Sequence, residues 1–289
     1  MARVLELIED ALAQLSAANW AAAAVALLVH VANVVVRTRA WHNIVAAAHV
    51  EARVSWRRIF SAYAAGAGVN AISPWRGGEL LRLTLARRAV TGSTCTSLGA
   101  TIVAESVFNT FAAACILGFL ALSRGESTQH PNATGALLIL VLGATAVAGA
   151  HYCGLGRRLL ADAATGLRVL GQPGFYFARV VPWQGLDWAL RLATMYLFMR
   201  AFGLGGGLGT LLLVQAAQST SSLLPLAPAR LGTKQALLVY ALGAQTSSAT
   251  VLAFVAGSEL VLLGCNVALG LAGVALLGGG RVRHAAAAA

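Results

Sequence analysis

The chain has 289 residues, 58% of them hydrophobic and only 11% charged, with a formal net charge of +11. A soluble domain carries roughly 25% charged residues, so this composition excludes an ordinary water-soluble globular protein and makes lipid the solvent of much of its surface. The basic residues sit in short segments between apolar runs, with no Lys/Arg-rich arm; that reads as membrane orientation and contact with anionic headgroups, not nucleic-acid binding.

In chain order, Val4, Leu5, Ile8, Leu12 and Leu15 fall at helical spacing and predict an amphipathic interfacial helix over 1–17. Glu6, Glu9 and Asp10 stand where a cleavable signal would be basic, so none is expected. Residues 18–280 read as a single polytopic membrane domain, with 281–289 as a tail. Five segments are apolar over about 20 residues, the length a spanning helix needs: 18–36, 96–122, 134–153, 185–203 and 250–277. Two more apolar stretches are broken. One runs from Ile59 to Arg88 and is interrupted by Asn70, Pro74 and Gly77-Gly78; the other runs from 208 to 247 and is interrupted by Ser219, Pro225, Pro228 and Gly232. Each half is too short to cross, and broken helices survive at membrane depth only where protein or a wet cavity receives the freed backbone. The expected fold is therefore an all-α integral membrane protein, with about five spanning helices and two re-entrant broken-helix hairpins.

Loop charge gives a direction. Arg37, Arg39, Arg53, Arg57 and Arg58 follow the first span, Arg157, Arg158, Arg168 and Arg179 lie between 154 and 184, and Arg281 and Arg283 end the chain. The alternate loops carry only Arg124. The positive-inside rule then places the N-terminus outside and the C-terminus in the cytoplasm of a cell-membrane protein. A gap-free offset of 154 residues sets Pro74 on Pro228, Arg76 on Arg230, Gly78 on Gly232 and Glu105 on Glu259. The two copies, about 59–122 and 210–277, are expected to be inverted in the membrane, an architecture of carriers with a site near the midplane.

The candidate site residues lie at these breaks. Asn70 can serve free backbone groups, Glu79 and Arg82 share a helix face, and Arg76 lies near the first hairpin tip, where a guanidinium can grip phosphate. Arg230 and Lys234 place cations at the second tip. Glu105 with Asn109, and Glu259 with Asn266, put a carboxylate and an amide on one face. Glu105 is expected to pair with Arg76 and Glu259 with Arg230, either as structural pins or along a substrate path. Asp187 and Arg191 read as a self-neutralising pair, Arg200 as an interfacial cation, and Trp20, Trp41, Trp56, Trp183 and Trp188 as belt residues. Cys95, Cys115, Cys153 and Cys265 form no CxxC pair and read as packing residues. No GxSxG, HExxH or P-loop string occurs, so neither an enzyme nor a cofactor or metal is expected.

Arg37-Thr-Arg-Ala-Trp41, Phe60-x-x-Tyr63 and Asn70-x-x-x-Pro74-x-Arg76-x-Gly78-Glu79-x-x-Arg82 resemble the signature of the flippase-like transmembrane domain of lysylphosphatidylglycerol synthases, over about residues 18–278. The resemblance implies translocation of a phospholipid or lipid-linked saccharide headgroup between leaflets, with Arg76, Glu79, Arg82 and Arg230 on the headgroup side. Membrane lipids are then the partners, with a second copy or a lipid-modifying enzyme as the protein partner considered. The chain departs from the family's pattern in reducing a first span to the 3–16 segment and in carrying Gln235 beside Lys234 where a glutamate is common. No soluble synthase domain follows in this chain. The alternatives are a secondary transporter of a small soluble anion, coupled through Glu105 or Glu259, and a non-transporting membrane scaffold.

Overall fold

The computed structural model describes residues 2–73, 77–123, 157–223, 238–239 and 246–286. The described residues form helices and connections, with no strand among them. In order these are α1 (Ala2–Ser16), α2 (Trp20–Ala48), α3 (Trp56–Ile72), α4 (Gly77–Ala89), α5 (Cys95–Ser123) and α6 (Arg157–Leu167). A short 3-10 turn (Arg168–Gly171) leads into α7 (Pro173–Arg179), α8 (Val181–Ala201), α9 (Leu208–Leu223) and α10 (Ser248–Ala286). Trp20–Ala48, Cys95–Ile116 and Ser248–Leu277 are long and apolar enough to cross a membrane. The chain is an all-α membrane protein. The expected span at 134–153 lies outside the described residues. The expected span at 185–203 is a continuous helix, α8, of 21 residues, about 31 Å at about 1.5 Å per residue, but Asp187 and Arg191 lower its apolar character.

α2 corrects the first boundary. The apolar run ends at Val36, yet the helix continues through Arg37 and Arg39 to Ala48. Nothing between Trp20 and Ala48 is Gly or Pro, and arginine is a good helix former, so loss of hydropathy alone does not stop a helix. Arg37 and Arg39 are thus helix residues, not loop residues. Asn19 caps the start, its Oδ1 accepting from the Ala22 amide at 3.0 Å, and the Asn19 amide donates to the Ala201 carbonyl at 2.8 Å, tying α1 and α2 to the end of α8.

The first broken stretch is a helical hairpin. α3 has 17 residues and α4 has 13, about 25 and 20 Å, both short of the roughly 30 Å hydrocarbon core. Ser73 turns to extended backbone (φ −94°, ψ 126°) before Pro74, as the residue preceding proline prefers. Asn70 Oδ1 accepts from the Gly78 amide at 3.0 Å, satisfying one open donor at the start of α4. The two arms meet backbone to backbone: a Cβ on Gly66 would lie 2.6 Å from the Gly78 carbonyl oxygen, and one on Gly78 would lie 2.7 Å from Asn70 Oδ1. The other side of α3 packs on α10, where Gly68 and Gly270 leave no room for a side chain and Gly273 faces the Ser61 carbonyl. Small residues allow this approach between helices in lipid, where packing replaces the hydrophobic drive.

Of the second broken stretch, α9 is described; residues 224–237 and 240–245, with Pro228, Arg230, Gly232 and Lys234, lie outside the described residues. Three apolar clusters anchor the rest, one of them around Ile44, Ala104 and Val180. A second joins α1, α2, α8, α9 and α10 around Phe198, Phe202, Val214 and Phe254. The third joins α2, α3, α4 and α5 around Trp41, Ile59, Ala86 and Leu98.

Candidate functional site

Helical spacing brings polar groups from five helices together. On α2, Asn33, Arg37 and Trp41 recur every four residues and share a face. Glu79 and Arg82, three apart, share a face of α4, and Thr101, Glu105 and Asn109, four apart, one of α5. α3 supplies Tyr63 and Asn70, seven apart; α8 supplies Gln184, Asp187, Trp188 and Arg191.

The centre is the Glu105 carboxylate. Its Oε2 accepts from Arg82 Nη2 at 3.0 Å and its Oε1 from Arg37 Nε at 3.3 Å. Arg82 also lies 3.5 Å from Glu79 Oε2, and Asn70 Nδ2 donates to Glu79 Oε1 at 3.4 Å. The four charges form an alternating chain, Arg37–Glu105–Arg82–Glu79. Its middle is buried and its ends are open: side-chain exposure is 34% for Arg37, 5% for Glu105, 5% for Arg82 and 46% for Glu79. Arg82 is further held in an aromatic clamp, its Cζ 3.7 Å from the centre of the Trp41 ring and 4.6 Å from that of Tyr63. Trp41 is itself fixed by its indole N–H, which donates to Thr101 Oγ1 at 3.0 Å.

A second network leads away along α8. Asp187 accepts from Asn33 Nδ2 at 2.7 Å and from Arg191 Nη2 at 3.0 Å. The Trp188 indole donates to Asn109 Oδ1 at 2.9 Å. Gln184 and Asn109 both donate to the Glu105 carbonyl oxygen, at 3.0 and 3.3 Å, so the backbone that carries the central carboxylate is tied to α8. Two turns before Arg37 on α2, His30 is hydrogen-bonded to Asn266 of α10 at 3.1 Å.

Not every donor is used. Arg82 Nε is buried and has no hydrogen-bond partner. The Nη1 and Nη2 groups of Arg37 make no hydrogen bond among the described residues, whereas its Nε is anchored. A guanidinium held by Nε and open at its fork can take two oxygens of a phosphate side by side. Mid-helix arginines in a membrane segment face a partner or a cavity, since a charge there costs about 2.5–3.5 kcal/mol on insertion scales.

The sequence-derived candidates divide accordingly. Asn70, Glu79, Arg82, Glu105 and Asn109 converge here. Arg76, Arg230 and Lys234 lie outside the described residues. Glu259 is half-buried on α10. The carboxylate of Glu105 is held by Arg82 and Arg37. Trp41 and Trp188 are not interfacial belt residues: both are buried, one under Arg82 and the other against Arg191 and Asn109. Sequence reasoning passed over Arg37 as a loop cation; the four-residue spacing from Asn33 through Arg37 to Trp41 was the available signal. Six residues of the quoted signature, Arg37, Trp41, Tyr63, Asn70, Glu79 and Arg82, meet in this one cluster.

Among the described residues no group of three or more His, Cys, Asp and Glu side chains could hold a metal. A cavity of about 220 Å³ lined by His49, Glu51, Thr91, Thr165 and Arg168 opens at the end of α2, apart from the charged chain. Residues 6–270 match the model of a protein family described as the lysylphosphatidylglycerol synthase TM region. No curated protein and no solved structure matches the chain.

Proposed function

The chain belongs to the lysylphosphatidylglycerol synthase transmembrane family, and from that premise we propose that it is a flippase or scramblase, moving the headgroup of a phospholipid or lipid-linked saccharide between leaflets of the cell membrane. The reading is carried by one observation: a buried arginine and a half-buried arginine converge on a single carboxylate and keep hydrogen-bond donors in reserve. In a low-dielectric setting such donors favour an anion strongly. The headgroup phosphate is received by the fork of Arg37 and by Arg82, with Asn70 and Glu79 forming the rim, while the acyl chains stay in lipid. From the sequence pattern alone, Arg76, Arg230 and Lys234 are expected to extend the cationic path, and Glu259 to repeat the role of Glu105 from the opposite leaflet. The two hairpins act as an inverted pair of gates, with the N-terminus outside and the C-terminus cytoplasmic. The chain carries out no covalent step in this scheme.

The experiment is headgroup translocation in proteoliposomes, followed by quenching of a fluorescent phosphatidylglycerol from one side. Arg37→Gln is the informative variant, because Glu105 keeps its 3.0 Å contact with Arg82 and the fold is retained. Translocation is expected to fall by at least about tenfold, the effect of losing one charge-assisted contact of roughly 1.5–3 kcal/mol. An unchanged rate in a folded Arg37→Gln protein removes the cluster from the transport path. Uptake of water-soluble phosphate in place of lipid would mark a soluble-anion carrier instead.

A further inference from the structure

We propose that Arg191 is a second contact for the headgroup phosphate, a midplane station that takes the anion on from Arg37; this rests on the headgroup-site reading above. Three contacts fix where it stands. The Asn19 amide donates to the Ala201 carbonyl at 2.8 Å, Asn33 Nδ2 to the Asp187 carbonyl at 2.7 Å and Asn43 Nδ2 to the Arg179 carbonyl at 2.7 Å. Residue numbers thus rise along α2 as they fall along α8 and α7. The antiparallel register sets Arg191 level with Val29 and His30, and Gln184 level with Val36 and Arg37. Arg191 is the middle residue of α8, about 15 Å from either end, half the roughly 30 Å thickness of the hydrocarbon core. Arg37 lies two helical turns along the same seam, about 12 Å away on the axis.

Arg191 is held as Arg37 is. Each guanidinium is tied by one nitrogen to a buried carboxylate and is otherwise open: Asp187 is 4% exposed and Arg191 25%, as Glu105 is 5% and Arg37 34%. Each carboxylate also accepts from a second side chain, Asp187 from Asn33 at 2.7 Å and Glu105 from Arg82 at 3.0 Å, so it stays in place when its guanidinium turns to a ligand. Arg191 Nε and Nη1 make no hydrogen bond among the described residues, and, unlike Arg82 Nε, neither is enclosed. The group rests on Trp188, its Cζ 4.9 Å from the ring centre, and that indole is anchored to Asn109 at 2.9 Å. One bond to Asp187 out of five N–H donors leaves an edge for two phosphate oxygens. A partly open guanidinium at this depth is costly unless it faces a path. Asp187 cancels its charge, so the station holds an anion by directed donors and not by surplus charge, which suits a stop that must also release. His30, bonded to Asn266 at 3.1 Å, stands at the same level. Arg37, Arg191 and His30 are near enough to act on one another electrostatically.

A self-neutralising pair that only joins helices and a station on the path differ when both charges are removed. The double variant Asp187→Asn with Arg191→Gln strands no buried charge, keeps side chains of similar size and leaves Arg37 on Glu105. Its translocation of fluorescent phosphatidylglycerol in proteoliposomes is expected to fall by at least about tenfold. The purified variant is expected to bind dihexanoylphosphatidylglycerol within about twofold of the parent, since the Arg37 contact is a separate site. Arg191→Lys keeps a cation on Asp187 but loses the flat edge; its translocation is expected to fall about threefold or more with an unchanged melt, so a poorly folding double variant does not end the test. Parent-rate translocation by either folded variant overturns the inference, and so does loss of lipid binding together with transport in the folded double variant. A parent protein that binds no dihexanoylphosphatidylglycerol sinks the headgroup-site reading instead. Transport of inorganic phosphate by the parent, lost in the same variants, would support the station and overturn lipid as its ligand.

Discussion

Arg82 offers the sharpest separation of stability from transport. Replacing it by Gln removes its contact with Glu105 at 3.0 Å and its stacking on Trp41 at 3.7 Å. Breaking one partner out of a buried ion pair costs about 3–5 kcal/mol, because the remaining charge stays buried; a desolvated cation–π contact adds roughly 2 kcal/mol. Arg37 still touches Glu105, which offsets part of the loss, so a net cost of about 3–5 kcal/mol is expected. At about 2–4 °C per kcal/mol for a chain of roughly this size, the thermal midpoint in detergent should fall by about 6–20 °C. Removing both charges together, as Arg82→Met with Glu105→Leu, should recover most of that stability, since apolar replacement of a buried pair is close to neutral. Transport should stay lost. The assay is thermal unfolding of the purified variants, with translocation measured on the same preparations and the coupling taken from a double-mutant cycle. A single Arg82→Gln variant that melts within a degree or two of the parent, or a double variant no more stable than the single, refutes the buried-pair energetics.

Gly78→Ala should destabilise the hairpin by about 3 kcal/mol or more, because its new Cβ meets backbone at Gly66 and the Asn70 side chain; the readout is the thermal midpoint, and a midpoint equal to the parent's would contradict the close approach. Asp187→Asn leaves the Arg191 cation without its 3.0 Å carboxylate partner and should cost about 1–3 kcal/mol, given that Arg191 is partly exposed; a shift under 1 °C in the same melt would show that pair to be inert. Arg76→Ala is expected to abolish headgroup translocation in liposomes while leaving the melt unchanged, and unchanged transport in a folded protein removes Arg76 from the mechanism. Side-specific labelling of a cysteine placed at Arg53 should occur only from the cytoplasmic face, and labelling from outside would reverse the orientation.

The helical membrane class was legible because composition and run length answer directly to the solvent. The first hairpin was legible too: Asn70, Pro74 and paired glycines leave few backbone options, and the observed arms end and restart at Ile72 and Gly77. Ion-pair partners were not legible. Which arginine meets Glu105 depends on how α2 and α4 cross α5, and neither crossing is written in local spacing. Hydropathy misled for the same reason at two places. Arg37 looked like a loop cation because a window average treats a charge as water-facing, whereas here a buried carboxylate on α5 receives its Nε. Trp41 and Trp188 looked interfacial because tryptophan generally is in membrane proteins; each is buried here because its indole N–H finds an acceptor on α5, Thr101 Oγ1 and Asn109 Oδ1 respectively.

A purely structural role accounts poorly for this cluster. If the ion pairs served only to pin helices, apolar residues of similar size would hold α2, α4 and α5 as well, without the cost of inserting charge. A pin would also saturate its donors, since an unused charged N–H in a buried site is expensive. Instead Arg82 keeps Nε without a partner while stacked under two rings, and Arg37 keeps its fork open on the exposed side of the same carboxylate. The helices that hold these groups are fastened elsewhere by contacts that need no charge: Gly66 on Gly78, Gly68 on Gly270, and the apolar cluster around Trp41 and Ile59. The helices are thus also joined by contacts that involve no charge, and Arg82 Nε is left without a partner among them. That combination is what an anion site at membrane depth requires, because donors must be positioned before the headgroup arrives and must gain from its arrival.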